Sequence, residues 1–122
     1  MRICPMLAVE NMESTLEFYS LVLGFSPIMQ TDSYSVVDRD GMRIHFMLAA
    51  DESVLNAVRG HTDIYIEVEG VEDLWESVKS LDAPHKTKAL FDQPYGMREF
   101  HIEDPNGVLI FVGEQQSSSK QG

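Results

Sequence analysis

The stretch VENMESTLE (residues 9–17) returns as VEGVEDLWE (68–76) at an offset of 59, with the Val and three Glu in matching places. A second pair, DRDGMRIHF (38–46) and DPNGVLIFV (104–112), overlays at an offset of 66. Self-similarity of this kind marks a duplicated supersecondary unit. Whatever the first half of the chain forms, the second half is expected to form again.

Around the first copy, NMESTLEFYSLVLG (11–24) places Met12, Leu16, Tyr19 and Leu23 at spacings of 4, 3 and 4. That is the period of an amphipathic helix, with Asn11 as its N-cap and Gly24 as its stop. GVEDLWESVKSL (70–81) puts Val71, Leu74, Trp75, Val78 and Leu81 on one stripe, which assigns Trp75 to the core. Each helix follows a short strand, ICPMLAV (3–9) or DIYIEV (63–68). Each precedes three more: SPIMQ, YSVVDR and MRIHFML in the first half; the 86–91 region, MREFHIE and VLIFVG in the second. Asp40-Gly41 and Asn106-Gly107 supply turns.

The order strand, helix, three strands, twice over, predicts an α+β fold. Two βαβββ modules, residues 1–52 and 60–116, would form curved mixed sheets around a cleft within a single domain, 1–116. Residues 117–122 would fray as a polar tail.

Each sheet would cover one face with its helix and turn the other toward the cleft. Alternation along the strands puts Cys4, Met6, Arg43, His45, Met47, Asp63, Tyr65, Glu67, Leu109 and Phe111 on the cleft face. The offsets match Cys4 with Asp63 and His45 with Phe111. Ile44, Phe46, Ile64, Ile66, Val68, Ile110 and Val112 would pack beneath the helices, and Phe18, Phe25 and Phe100 would fill the core. His101 alternates onto the face of Glu99 and Glu103 and reads as a hydrogen-bonded sheet residue.

With 122 residues the chain is long enough for one domain to bury a core without staples. Nine basic and 20 acidic residues give a formal charge of −11, which repels nucleic acid and favours a cationic partner. No apolar run reaches the length of a membrane span. The lone Cys4 has no intrachain disulfide partner, and the N-terminus carries no signal-peptide pattern, so a cytoplasmic location is expected.

The repeated plan, MLAVENMESTLEFYSLVLGF near the start and QPYGMREFHIEDPNGVLIFVGEQ near the end, resembles the glyoxalase/bleomycin resistance/extradiol dioxygenase superfamily, also called vicinal oxygen chelate. The run Gln93-Pro94-Tyr95-Gly96-Met97-Arg98-Glu99-Phe100 and the turn Asp104-Pro105-Asn106-Gly107 look closest to the bleomycin resistance proteins, with Tyr95 in place of that family's Trp. The resemblance implies a homodimer that sequesters a drug without altering it, and so confers antibiotic resistance.

In the superfamily's metallo-enzymes, four symmetry-related strands hold a divalent metal. Carried over by resemblance, those positions are Cys4, His45, Asp63 and Phe111, and Phe111 has no donor atom. The familiar metal set is absent, so no cofactor is expected. The alternative is a divalent metal such as Zn held by Cys4, His45 and Asp63, in a metal-dependent lyase, isomerase or dioxygenase. His61 would replace Asp63 if the strand register differed by two.

Without a metal, Tyr34, Tyr65, Tyr95 and Phe111 would stack on flat rings while acidic groups, among them Asp32, attract a cation. The expected ligand-binding residues are Tyr34, His45, Asp63, Tyr65, Glu67, Tyr95, Glu99 and Phe111.

Overall fold

The computed structural model describes residues 1–81 and 85–116; the 117–122 tail lies outside them. The chain divides into two compact units, one of residues 1–62 with 104–108, the other of residues 63–103 with the chain from 109 onward.

The first unit runs β1 (Met6–Val9), α1 (Met12–Leu23), β2 (Ser26–Gln30), β3 (Tyr34–Arg39), β4 (Met42–Leu48) and α2 (Glu52–Val58). Its sheet has the order β1-β4-β3-β2, with β1 parallel to β4 and the other pairs antiparallel. Helix α1 starts and stops where its sequence indicates. The Asn11 side chain accepts from the Ser14 N–H at 2.8 Å, and Gly24 closes the helix in the left-handed region. The expected stripe is buried, and the Tyr19 ring lies 4.9 Å from Phe46 between centroids. The two-residue link from β3 to β4 needs positive φ at both positions, and Asp40 and Gly41 adopt 53° and 85°.

The Asp104–Val108 turn is part of this unit, bound to α1 by buried polar groups. Tyr19 Oη donates to Asp104 Oδ2 at 2.7 Å, while Asp104 Oδ1 accepts from the N–H groups of Asn106 and Val108 at 2.7 and 2.9 Å. Asn106 Nδ2 donates to Thr15 Oγ1 at 3.0 Å, and Asn106 Oδ1 accepts from the Glu10 N–H at 2.9 Å. Burial pushes the Asp104 carboxyl up and, aided by the neighbouring carboxylate, pushes the Tyr19 hydroxyl well up.

The second unit repeats the plan with β5 (Asp63–Glu67), α3 (Val71–Lys79), β6 (Thr87–Asp92), β7 (Met97–Glu103) and β8 (Leu109–Gln115), in the order β5-β8-β7-β6. The duplication extends to register. Met6 pairs with His45 in one sheet and Tyr65 with Phe111 in the other, which reproduces both sequence offsets. The architecture is therefore α+β, with two four-stranded mixed sheets.

Three local expectations need correction. The first strand begins at Met6 rather than Ile3, because Pro5 has no N–H for the ladder and contributes only its carbonyl, to His45 N at 2.9 Å. Cys4 is thus outside the strand. Ile64, Ile66 and Val68 are half-buried rather than covered, since β5 is an edge strand. Helix α2 was not expected: only Leu55 is buried among its residues, so it has no apolar stripe, although Asp51 caps it through the N–H groups of Ser53 and Val54. Among the described residues no helix is long and apolar enough to cross a membrane.

Removing the Tyr19 hydroxyl leaves a buried carboxylate short of a donor. Tyr19→Phe is therefore expected to destabilise the protein by about 1–3 kcal/mol, measurable as a lower urea midpoint.

Candidate functional site

The face of the second sheet opposite α3 carries side chains in rows across its strands. Lys88, His101, Phe111 and Tyr65 are successive cross-strand partners from β6 to β5. Phe91, Glu99, Gly113 and Glu67 form the next row, beyond a register shift in β6. The other face is apolar, with Phe100, Ile102, Ile110 and Val112 fully buried and Trp75 of α3 5.3 Å from Phe100 between ring centroids.

Glu99 is the centre of the open face, and it has no exposed surface. Its carboxylate is surrounded by donors. Tyr65 Oη and Tyr95 Oη donate to Oε2 at 2.6 and 2.5 Å, while Gln93 Nε2 and His101 Nε2 lie 3.0 Å from Oε1. Burial alone would raise this carboxyl, but the hydrogen bonds from Tyr65, Tyr95, His101 and Gln93 outweigh it and hold the group down at about 2. The phenols move the other way. Burial and the bond to Glu99 push Tyr65 well up, and the bond to Glu99, followed by burial, pushes Tyr95 up to about 12.

Local backbone explains how two tyrosines reach one oxygen. Tyr95 sits on the turn between β6 and β7, closed by the Gly96 N–H to the Gln93 carbonyl at 3.1 Å and by the Gln93 N–H to the Met97 carbonyl at 2.7 Å. Pro94 presets the first turn position, and Gly96 takes the left-handed conformation. Tyr65 comes from the opposite edge strand and must pass over β8. It does so at Gly113, where a Cβ would overlap the Tyr65 hydroxyl and lie 3.0 Å from Glu99 Cγ.

Aromatic rings complete the surface. The His101 and Phe111 centroids are 4.0 Å apart, Tyr65 stacks on Phe111 at 6.1 Å, and Phe91 meets His101 edge-on at 5.3 Å. Lys88 Nζ lies 4.1 Å from the Phe91 centroid. Tyr65 and Tyr95 remain 45% and 60% exposed although their hydroxyls are fixed on Glu99.

Four of the expected site residues, Tyr65, Tyr95, Glu99 and Phe111, thus come together. Asp63 and Glu67 stand exposed along the same face of edge strand β5. Tyr34 and His45 belong to the first unit, where the Tyr34 hydroxyl bonds His45 Nδ1 at 2.6 Å. Sequence reasoning left Gln93, Phe91 and Gly113 unassigned and gave His101 no part in the site. The Gly inside VLIFVGEQ was the available signal, since a glycine within a strand marks a close approach.

The metal positions carried over by resemblance divide between the units, Cys4 and His45 in the first and Asp63 and Phe111 in the second. Cys4 lies before β1, Asp63 is exposed, and Phe111 offers only a ring packed against His101. Among the described residues no three His, Cys, Asp or Glu side chains form a group able to hold a metal ion.

A family model described as Glyoxalase/Bleomycin resistance protein/Dioxygenase superfamily matches residues 4–112. Proteins named bleomycin resistance protein from Geobacillus stearothermophilus and Staphylococcus aureus are 29% identical to this chain, with 93% of it and 96% of each relative covered. Among solved structures, a bleomycin-binding protein complexed with bleomycin superposes with a TM-score of 0.78 at 17% identity, covering 95% of this chain and 99% of that one. The bleomycin-binding protein of bleomycin-producing Streptomyces verticillus, complexed with copper(II)-bleomycin, gives 0.72 at 21% identity, with 97% of both chains covered.

Two outcomes follow from the Glu99 cluster. Because the carboxyl is held below its ordinary 4.5, the stability it confers is complete above that value and is lost as pH falls toward about 2. Glu99→Gln should abolish this component of the acid dependence in denaturation curves recorded across that window. Gly113→Ala should destabilise by about 1–3 kcal/mol, and Tyr65→Phe in the same chain should recover part of the loss, as a double-mutant cycle would measure.

Proposed function

The chain belongs to the glyoxalase/bleomycin resistance protein/dioxygenase superfamily, and we propose that within it this protein is a metal-independent small-molecule binder of the bleomycin resistance type. It acts by sequestration, holding an aromatic, cationic, drug-like ligand without a catalytic step. The observation that carries this reading is the open aromatic face fixed around Glu99. Its exposed rings are already held by hydrogen bonds, so little rotamer freedom is lost when a flat ligand stacks on them.

Two further observations support it. The charge of −11 draws cations toward the molecule, and the relatives named for bleomycin cover nearly the whole chain. The protein works as a cytoplasmic homodimer; Tyr65, Tyr95 and Phe111 contribute ligand contacts on the second unit, and Tyr34 and His45 contribute them on the first. The Tyr at position 95 offers less stacking area than a Trp, so the natural ligand has a smaller ring system than one selected by Trp.

Titration calorimetry with bleomycin tests the proposal. Saturable binding is expected, weakened roughly tenfold or more by Tyr95→Ala and by Tyr34→Ala; Tyr95→Ala is also expected to lower the thermal midpoint, because it takes a donor from the buried Glu99 carboxylate. Unchanged affinity in both variants sinks the assignment. Native mass spectrometry should find a metal-free dimer; one retained metal per chain would bring the lyase, isomerase or dioxygenase reading forward.

A further inference from the structure

Glu99 dictates which way the two phenols of the site can hydrogen-bond. A phenol has one proton and two acceptor lone pairs. Tyr65 and Tyr95 both direct that proton to Glu99 Oε2, at 2.6 and 2.5 Å, and the ionised carboxylate has no proton to give in return. Gln93 and His101 occupy the other carboxylate oxygen, so all four acceptor sites of Glu99 are taken. With no exposed surface, the carboxylate is out of a ligand's reach. Its charge is felt through the phenol oxygens, since a hydroxyl that donates to an anion becomes a stronger acceptor itself.

We propose that Tyr65 Oη and Tyr95 Oη form a paired acceptor for the N–H groups of a cationic ligand, an amidinium, guanidinium or primary ammonium, with Glu99 setting the direction of both hydroxyls. The inference rests on the small-molecule-binding reading and adds a rule to it: the site selects by donor N–H and not by positive charge alone. A carboxylate or carbonyl brought to the pair meets only lone pairs. A quaternary ammonium can rest on the ring faces by cation–π attraction but leaves both oxygens unused.

Glu99→Gln separates these contributions because the amide has the shape of the carboxylate. Its oxygen still accepts from Gln93 and His101, whereas its two N–H groups take the place of Oε2 and donate to the two phenols. Both hydroxyl protons then turn outward, and the paired acceptor becomes a paired donor. Full-length protein is titrated calorimetrically with benzamidinium, phenyltrimethylammonium and benzoate at fixed ionic strength, the two cations having equal charge and similar ring area.

The wild type is expected to bind benzamidinium about tenfold more tightly than phenyltrimethylammonium. In Glu99→Gln that gap should close, and benzoate should bind more tightly than it does to the wild type. Equal affinity of the two cations for the wild type overturns the proposal, and this comparison needs no variant to fold. A gap that persists in a Glu99→Gln protein with a native amide spectrum overturns it as well. If bleomycin binds while the two cations bind equally, the acceptor pair is refuted and the binding reading stands. If bleomycin fails to bind but the gap between cations is present, the acceptor pair stands and the bleomycin-type assignment falls.

Discussion

A carboxylate withdrawn from water must be hydrogen-bonded on every side or abandon its charge, and at Glu99 that constraint organises the second unit. Four donors have to converge on one point, and they come from three sources: the β6–β7 turn, the neighbouring position on β7 and the far edge strand β5. The turn needs Pro94 and Gly96 to bring Gln93 and Tyr95 within reach. The edge strand needs a position without a side chain on β8, and Gly113 is that position. Several residues that look independent in sequence thus answer to a single charge.

The same scaffold position is used differently in the two halves. Glu99 pairs across the sheet with Gly113, and Tyr34 pairs with Met47; the offset of 66 that relates His45 to Phe111 also relates Met47 to Gly113. Tyr34 therefore stands in the first unit where Glu99 stands in the second, and its hydroxyl bonds His45, the counterpart of Phe111. In one half a phenol binds an imidazole on the open face; in the other a carboxylate gathers two phenols and an imidazole. Duplication fixed the strand order and register and left the chemistry of each face to diverge.

The fold was largely legible because its signals are local and occur twice. Helix α1 is bounded by a capping Asn and a left-handed Gly, β2, β3, β4 and β7 follow their sequence segments, and the offsets foretold the pairing. The errors arose where a signal was missing or tertiary. Pro5 interrupts a run that otherwise reads as strand, α2 has one buried residue and thus no period, and the half-burial of β5 follows from its place at the sheet edge.

The site was only partly legible, for a related reason. Alternation placed Tyr65 with Phe111 on one face and Glu99 with His101 on one face of their strand, but it says nothing about which side chains touch. That Tyr65 and Tyr95 share an oxygen of Glu99 depends on a turn, a glycine and a register shift in β6, none of which carries a periodic signal.

Phe111 joins these features into one chemical character. Its ring packs against His101 and Tyr65 and continues the aromatic surface around the buried carboxylate. Around Glu99 the polar groups are bound to one another: the phenol protons are held more firmly than in water, and the carboxylate is saturated. Tyr65 and Tyr95 nevertheless keep exposed surface beside this network, suited to stacking. The closed hydrogen-bond network around Glu99 makes the face a rigid platform for stacking.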